Sequence, residues 1–414
     1  MKNFFLTVIV SLFVVGAVSA QSGLSLSGEM RTGLFWYNML REGEEANSAA
    51  FLFNSADIDQ TGLPSLYQFH TSPARLRLDF HYTAGIIGTR FRFETATWPM
   101  AAADQDNRPF WSFAFVYGNF LDQNLRVSAG KLGLSPWGMG THEIWNDLDS
   151  AMGMRFEFTP QFIPFIVPGS LNIGFVLNSF NHGTGGRETS LVDVLSESVF
   201  GFSYTHDFFH ARFSYRLDSE VDGDQTGVVG QGDSLMFRVE ERILQNFLPG
   251  FQIWINGFHW GFRSDLARIA ESITRLYFQY ETDLFVSQLR LGHTSVLDKT
   301  RLVGRGTYVR TIEDRRHIFS VQPRIFFRLF GNFLQAGTTL GFAAEVGDVR
   351  MWSDAPFQHW FIEPQIVVNL HPNANIGLVY RFYSDYEHWL GYHNNHRAVN
   401  TRTHWLNLRV LFTF

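Results

Sequence analysis

Thirty arginines against three lysines give this 414-residue chain its clearest chemical signature. A guanidinium stays charged, and its planar fork engages carboxylate or phosphate oxygens in pairs. Fifteen arginines recur at alternating positions: Arg31, Arg75, Arg77, Arg90, Arg92, Arg126, Arg155, Arg212, Arg216, Arg238, Arg290, Arg324, Arg328, Arg381 and Arg409. Eight acids share the pattern: Glu29, Asp79, Glu94, Glu157, Glu240, Glu281, Glu345 and Glu363. Fifteen against eight leaves this set with an excess of seven positive charges, while the whole chain carries −6. One reading is a surface that attracts anionic or carboxylated solutes. The other is an Arg–acid lattice that rigidifies a polar wall, with Arg92 near Glu94 and Arg155 beside Glu157 as natural pairs. Residue types alone leave both open.

Other clusters carry less. With no cysteine, neither a disulfide framework nor a zinc–thiolate site can form. Asp218, Glu220, Asp222, Gly223 and Asp224 imitate the start of a calcium loop, but the twelfth position is Val229, where a bidentate glutamate is needed. His388, His393, His396 and His404 match no zinc spacing, so no metal and no cofactor is expected. Gly130-Lys131 lacks the Ser or Thr and the preceding glycine of a phosphate loop. No spacing brings a base to a nucleophile, so no catalysed reaction is expected. A pI near 6.2 argues against a nucleic-acid binder.

The elements that must position the arginines show a period of two. In 75–82, Arg75, Arg77, Asp79 and His81 alternate with Leu76, Leu78, Phe80 and Tyr82, and the pattern recurs at 90–95, 209–217 and 406–414. Strict alternation puts successive side chains on opposite faces of a strand. The 43 Phe, 11 Trp and 13 Tyr demand a large apolar contact area, yet mean hydropathy is −0.07, so polar residues are interleaved with them. Such a ring-rich chain is not disordered. Past residue 20 no apolar run reaches the ~18 residues of a membrane helix.

Spacers between strands alternate in length. The long ones are 41–73, 97–110, 132–150, 179–197, 218–233, 263–273, 297–314, 347–356 and 384–401, and short turns lie between. Nine long loops and eight short turns make eighteen strands, with sixteen as the alternative count. A soluble sandwich or propeller would point its apolar residues inward. Strands of about ten residues instead suit a bilayer crossing, and in lipid such a sheet has to close. The fold class expected is therefore all-β: a transmembrane antiparallel barrel with short periplasmic turns and long extracellular loops. Met1–Ala20, with Lys2 before an apolar core and small residues at its end, has the layout of a cleaved signal peptide, leaving 21–414 as one barrel domain. Its partners are then outer-membrane lipid and small hydrophilic solutes. Oligomeric state stays open, because lipid and a second subunit both favour apolar outward residues.

Two segments resemble known families. The strand Val127–Lys131, the turn Pro136-Trp137-Gly138 and the strand Gly153–Phe158 resemble porins, and loosely the alginate-export and carbohydrate-selective porins. In porins the third long loop often folds into the barrel. The resemblance thus implies that Trp137, His142, Glu143, Trp145, Asp147 and Asp149 form a constriction, the alternative being a surface loop. The loop's acids depart from a purely cationic eyelet. The end, Leu408–Phe414, is similar to the terminal strand of outer-membrane barrels, whose last Phe the barrel-assembly machinery recognises; Phe414 takes that role by resemblance. Together these features lead to a passive porin of the bacterial outer membrane. An adhesin or receptor barrel, or an outer-membrane hydrolase, is the alternative.

Overall fold

The computed structural model describes residues 23–41, 44–51, 75–96, 110–132, 137, 152–160, 169–178, 198–217, 234–260, 269–298, 314–346, 358–388 and 398–414. The sequence alternation becomes nineteen strands in one sheet. The first seven are β1 (Gly23–Arg41), β2 (Glu44–Phe51), β3 (Arg75–Ala84), β4 (Ile87–Ala96), β5 (Phe110–Phe120), β6 (Leu125–Lys131) and β7 (Met152–Phe158). Next come β8 (Ser170–Asn178), β9 (Val199–Thr205), β10 (Phe209–Arg216), β11 (Ser234–Glu241) and β12 (Phe251–Trp260). The rest are β13 (Ile269–Glu281), β14 (Phe285–Asp298), β15 (Asp314–Leu329), β16 (Leu334–Val346), β17 (Gln358–His371), β18 (Ala374–His388) and β19 (Ala398–Thr413). Each pairs antiparallel with its neighbour, and β1 pairs with β19 from Glu29↔Thr413 to Arg41↔Thr401. That pairing closes the sheet.

Nineteen strands make an eighteen-strand wall. β2 lies against the upper half of β1 (Leu34↔Phe51 to Arg41↔Glu44) and β3 against its lower half (Gly23↔Thr83 to Arg31↔Arg75). The two therefore share one position in the wall. The spacer read as a continuous loop over 41–73 in fact contains a strand. Its Glu44-Glu45 and Asn47-Ser48 are polar, so it carries no apolar alternation, and only pairing with β1 reveals it. Three other boundaries shift for a similar reason: β13 begins at Ile269, β18 runs to His388 and β19 begins at Ala398, because strands continue past the apolar belt. The turn after β11 contains a short helix, α1 (Ile243–Phe247).

The orientation of the faces is read from exposure. In β9, Phe200 and Phe202 are exposed while Val199, Gly201 and Ser203 between them are buried. In β19, Leu406, Leu408 and Phe412 are exposed, and Asn407 between them is 4% exposed. Large apolar side chains thus point outward around the wall, a surface that a hydrocarbon layer would remove from water at about 25 cal/mol per Å². Polar groups point to the interior. This inversion of a soluble core is the polarity that the alternation demanded. No helix among the described residues is long and apolar enough to cross a membrane.

Candidate functional site

Inward-facing positions around the wall gather into sectors, and the richest spans β3 to β7. Strand β5 turns Phe113, Phe115 and Tyr117 inward, where each is under 9% exposed. Arginines from the flanking strands cover them. The Arg90 and Arg92 guanidiniums lie 5.2 and 4.8 Å from the Phe113 ring, Arg155 lies 5.8 Å from Phe115, and Arg126 lies 3.9 Å from Tyr117. Guanidinium planes stack on ring faces, and partial desolvation strengthens the contact. The same pairing recurs elsewhere: Arg238 over Trp254, Arg324 over Phe326 and Arg381 over Phe361. Sequence reasoning missed these inward rings. Reading one face as greasy and the other as charged gave no place to rings on the charged face, although Phe113 and Phe115 share their parity with Tyr117 and Asn119 rather than with Val116.

Ion pairs knit the arginines into the wall. Arg92 Nε donates to Asp79 Oδ1 at 2.8 Å across the β3–β4 register. Arg155 Nε lies 2.5 Å from Glu157 Oε1, with both side chains nearly buried, as the two-residue spacing anticipated. Arg238 pairs with Glu240 at 3.3 Å, Arg328 pairs with Glu281, and Arg381 pairs with Glu363. In β10 and β11, Arg212 is register-paired with Arg238, and Arg212 Nε donates to His210 Nε2 at 3.2 Å. Arg290 and Arg324 face inward on β14 and β15, opposite Gln322 and Gln288. Arg275, buried between Ile273 and Tyr277, is a further inward arginine that the sequence reading passed over because its neighbours on that face are apolar.

Arg31, Arg75, Arg216 and Glu94 lie in β1, β3, β10 and β4, and Arg77 opposes both Glu29 and Glu94. The side chains of Arg31, Arg75, Arg216 and Glu94, and all of residues 1–22, lie outside the described residues. So do His142, Glu143, Trp145, Asp147 and Asp149.

Trp137 is described, and its surroundings are specific. It is fully buried, and its indole Nε1 donates to Asn172 Oδ1 at 2.6 Å. Asn172 in turn donates from Nδ2 to Thr159 Oγ1 at 2.7 Å, which fixes the orientation of its amide. The ring lies over Gly174 and Gly201, register partners on β8 and β9. A β-carbon at Gly174 would fall 2.7 Å from Trp137 Cζ2, and one at Gly201 would overlap the ring. These two glycines open a slot in the inward face that the indole fills. Leu132, Val176 and Val199 join Trp137 and the β5 rings in one buried cluster. Leu132 and Trp137, which follow β6, are therefore held against the inside of the wall.

The fold built from these elements has known counterparts. An anion-selective porin from Comamonas acidovorans superposes with a TM-score of 0.51 at 12% identity, covering 95% of this chain and all of the porin. OccAB1 of Acinetobacter baumannii gives 0.51 at 13%, covering 93% and 96%. Outer-membrane OmpT of Vibrio cholerae gives 0.50 at 11%, covering 96% and 99%. The fold is that of an outer-membrane porin-type β-barrel. No protein-family model and no curated protein sequence matches the chain. At these identities the porin-type likeness speaks for the architecture, and the chemistry of the lining has to be argued from this chain's own residues.

Proposed function

We propose that the barrel is a passive pore for small hydrophilic solutes, with a lining that favours anionic or carboxylated ones, and that no reaction is catalysed. A wall of eighteen strands is wide enough to enclose an aqueous channel. The observation that carries the selectivity is the excess of inward arginine over inward acid. Rings and carboxylates hold those guanidiniums at fixed positions, so a passing anion meets preorganised charge. Flux follows the concentration gradient, and the wall field biases which solute enters. In this reading Trp137 anchors the segment after β6 within the lumen, so that His142, Glu143, Trp145, Asp147 and Asp149 narrow the path.

Purified protein in a planar bilayer is expected to give stable ohmic steps. Under a salt gradient the reversal potential should carry the sign of anion preference. Silence in the bilayer would remove the pore reading in favour of a binding or hydrolytic barrel, and cation preference would remove the role given to the arginines.

Assembly is read from the carboxy terminus. Gly28 N donates to Phe414 O at 2.8 Å and Phe414 N to Gly28 O at 3.0 Å, and the Phe414 ring lies over Gly28, so the last residue completes the closing seam. Recognition of Phe414 by the assembly machinery adds to that seam. Deleting Phe414 is expected to leave most of the chain unassembled, measured as loss of the heat-modifiable band in outer-membrane fractions. Normal assembly of the deletion would count against both roles.

A further inference from the structure

At the short-turn rim the chain departs from ordinary turn chemistry, which favours Gly, Asn, Asp, Ser and Pro. Nearly every described turn presents a large apolar side chain to the outside. Ile86, Leu121, Phe208, Phe247, Leu284 and Phe330 are all exposed, and Phe247 and Phe330 reach 80%, more than any apolar residue midway up the wall. They stand in six different connections, from β3–β4 round to β15–β16, so the apolar tips follow the circumference rather than one side. Helix α1 buries none of its residues.

Two of the tips come at a backbone cost. Leu121 and Phe330 have φ of +51° and +54°, a region that bulky residues disfavour and that glycine or asparagine fills readily. Gly331 and Asn332 beside Phe330 take the same left-handed conformation, at φ +64° and +70°, so this turn places a phenylalanine in a run that glycine and asparagine otherwise fill. An apolar side chain at such a position implies an apolar environment for it.

The wall itself supplies a reason. β6 and β9 have seven residues and β10 has eight, and described non-strand residues bound each of them, whereas β14 to β19 run to 13–16. Seven residues at ~3.3 Å each, tilted by ~40°, rise only about 18 Å, short of the ~25 Å apolar band of a barrel. The missing height on that side matches a layer of apolar turns below the strands.

We infer that the short-turn rim is immersed in lipid: the ring of apolar tips lies in the inner-leaflet acyl and interfacial layer and forms the lower edge of the hydrophobic belt. Apolar tips in six connections spread around the wall fit a lipid slab, whereas a protein partner would select one arc of them. This inference rests on the membrane-barrel reading and is independent of pore selectivity.

Because the chain lacks cysteine, single-cysteine variants test it directly. Leu284→Cys, Phe247→Cys and Phe330→Cys are placed in the full-length protein in phosphatidylcholine nanodiscs, where water reaches both rims. Gly223→Cys, between Asp222 and Asp224 in a strongly acidic stretch of the sequence, is the aqueous reference, and outward Phe200→Cys is the lipid reference. A charged, membrane-impermeant maleimide is expected to label the tip cysteines about tenfold more slowly than Gly223→Cys, since an apolar layer suppresses the thiolate. A fluorophore attached at the tips should be quenched by lipids bearing a nitroxide. Labelling as fast as at Gly223→Cys overturns the inference. Slow labelling without nitroxide quenching also overturns it, in favour of a protein contact. Failure of quenching at Phe200→Cys would instead overturn the membrane-barrel reading. Three separate connections are probed, so loss of assembly in one variant leaves the other two to decide.

Discussion

Trp137→Ala is expected to raise single-channel conductance and to replace quiet openings with flickering between levels. The indole is fully buried, fills a slot over Gly174 and Gly201, and donates to an amide whose own orientation is fixed by Thr159. Truncating a buried tryptophan costs roughly 3–5 kcal/mol, and the lost hydrogen bond is part of that. On the proposed reading, an anchor weakened by that amount releases the segment that follows Trp137. Gly201→Val attacks the same contact from the other side by filling the slot, and should give the same electrical change while leaving Trp137 intact. Asn172→Ala, which strands the buried indole N–H but keeps the ring in its slot, should cost about 1–3 kcal/mol and change the conductance less. If Trp137→Ala and Gly201→Val both assemble and conduct as the parent does, the segment after β6 does not narrow the pore.

The second large effect concerns charge. Replacing Arg90, Arg126 and Arg324 together by glutamate changes the wall by six charges, so the excess of eight that the alternating set carries with Arg275 added falls to two. Anion preference should then nearly vanish, with the reversal potential under a salt gradient moving close to zero. These three are chosen because each stacks on an inward ring, Phe113, Tyr117 or Phe326, that remains as packing. The arginines paired with Asp79, Glu157 and Glu363 are poorer choices. Removing one partner of the nearly buried Arg155–Glu157 pair would strand a charge at a cost of roughly 3–5 kcal/mol and confuse selectivity with stability. An unchanged reversal potential in the triple variant would show that selectivity is set elsewhere, and the acids of the loop after Trp137 would be the next candidates. Raising the salt concentration should shrink the difference between parent and variant, since the ~10 Å screening length at 0.1 M shortens further.

The strands most legible in the sequence were those with uniform faces. In 75–82 every second residue is apolar and its neighbours are polar, and 406–414 keeps that pattern except at Leu411, so parity alone gives both the strand and its outward side. Less legible were the strands whose inward face is mixed. Phe113, Phe115, Trp254 and Tyr277 lie inside, yet each has the hydropathy of an outward residue, and only the register with Arg92, Arg90 and Arg238's neighbours shows where they point. β2 was invisible for the opposite reason: its residues are too polar to reveal a strand without the partner that pairs with it.

By itself the sequence determined that the chain is a β-protein with greasy and charged faces kept apart, that about eighteen strands alternate between long and short connections, and that arginine dominates the polar side. Those properties follow from a two-residue period and from composition, which are local and need no knowledge of contacts. Tertiary structure decided which charges neutralise one another, that Arg92 takes Asp79, that rings lie beneath guanidiniums, and that Trp137 enters a slot made by two glycines 27 residues apart in sequence but opposite one another in the sheet. Register and closure fix those pairings across strands distant along the chain, so no local pattern can encode them.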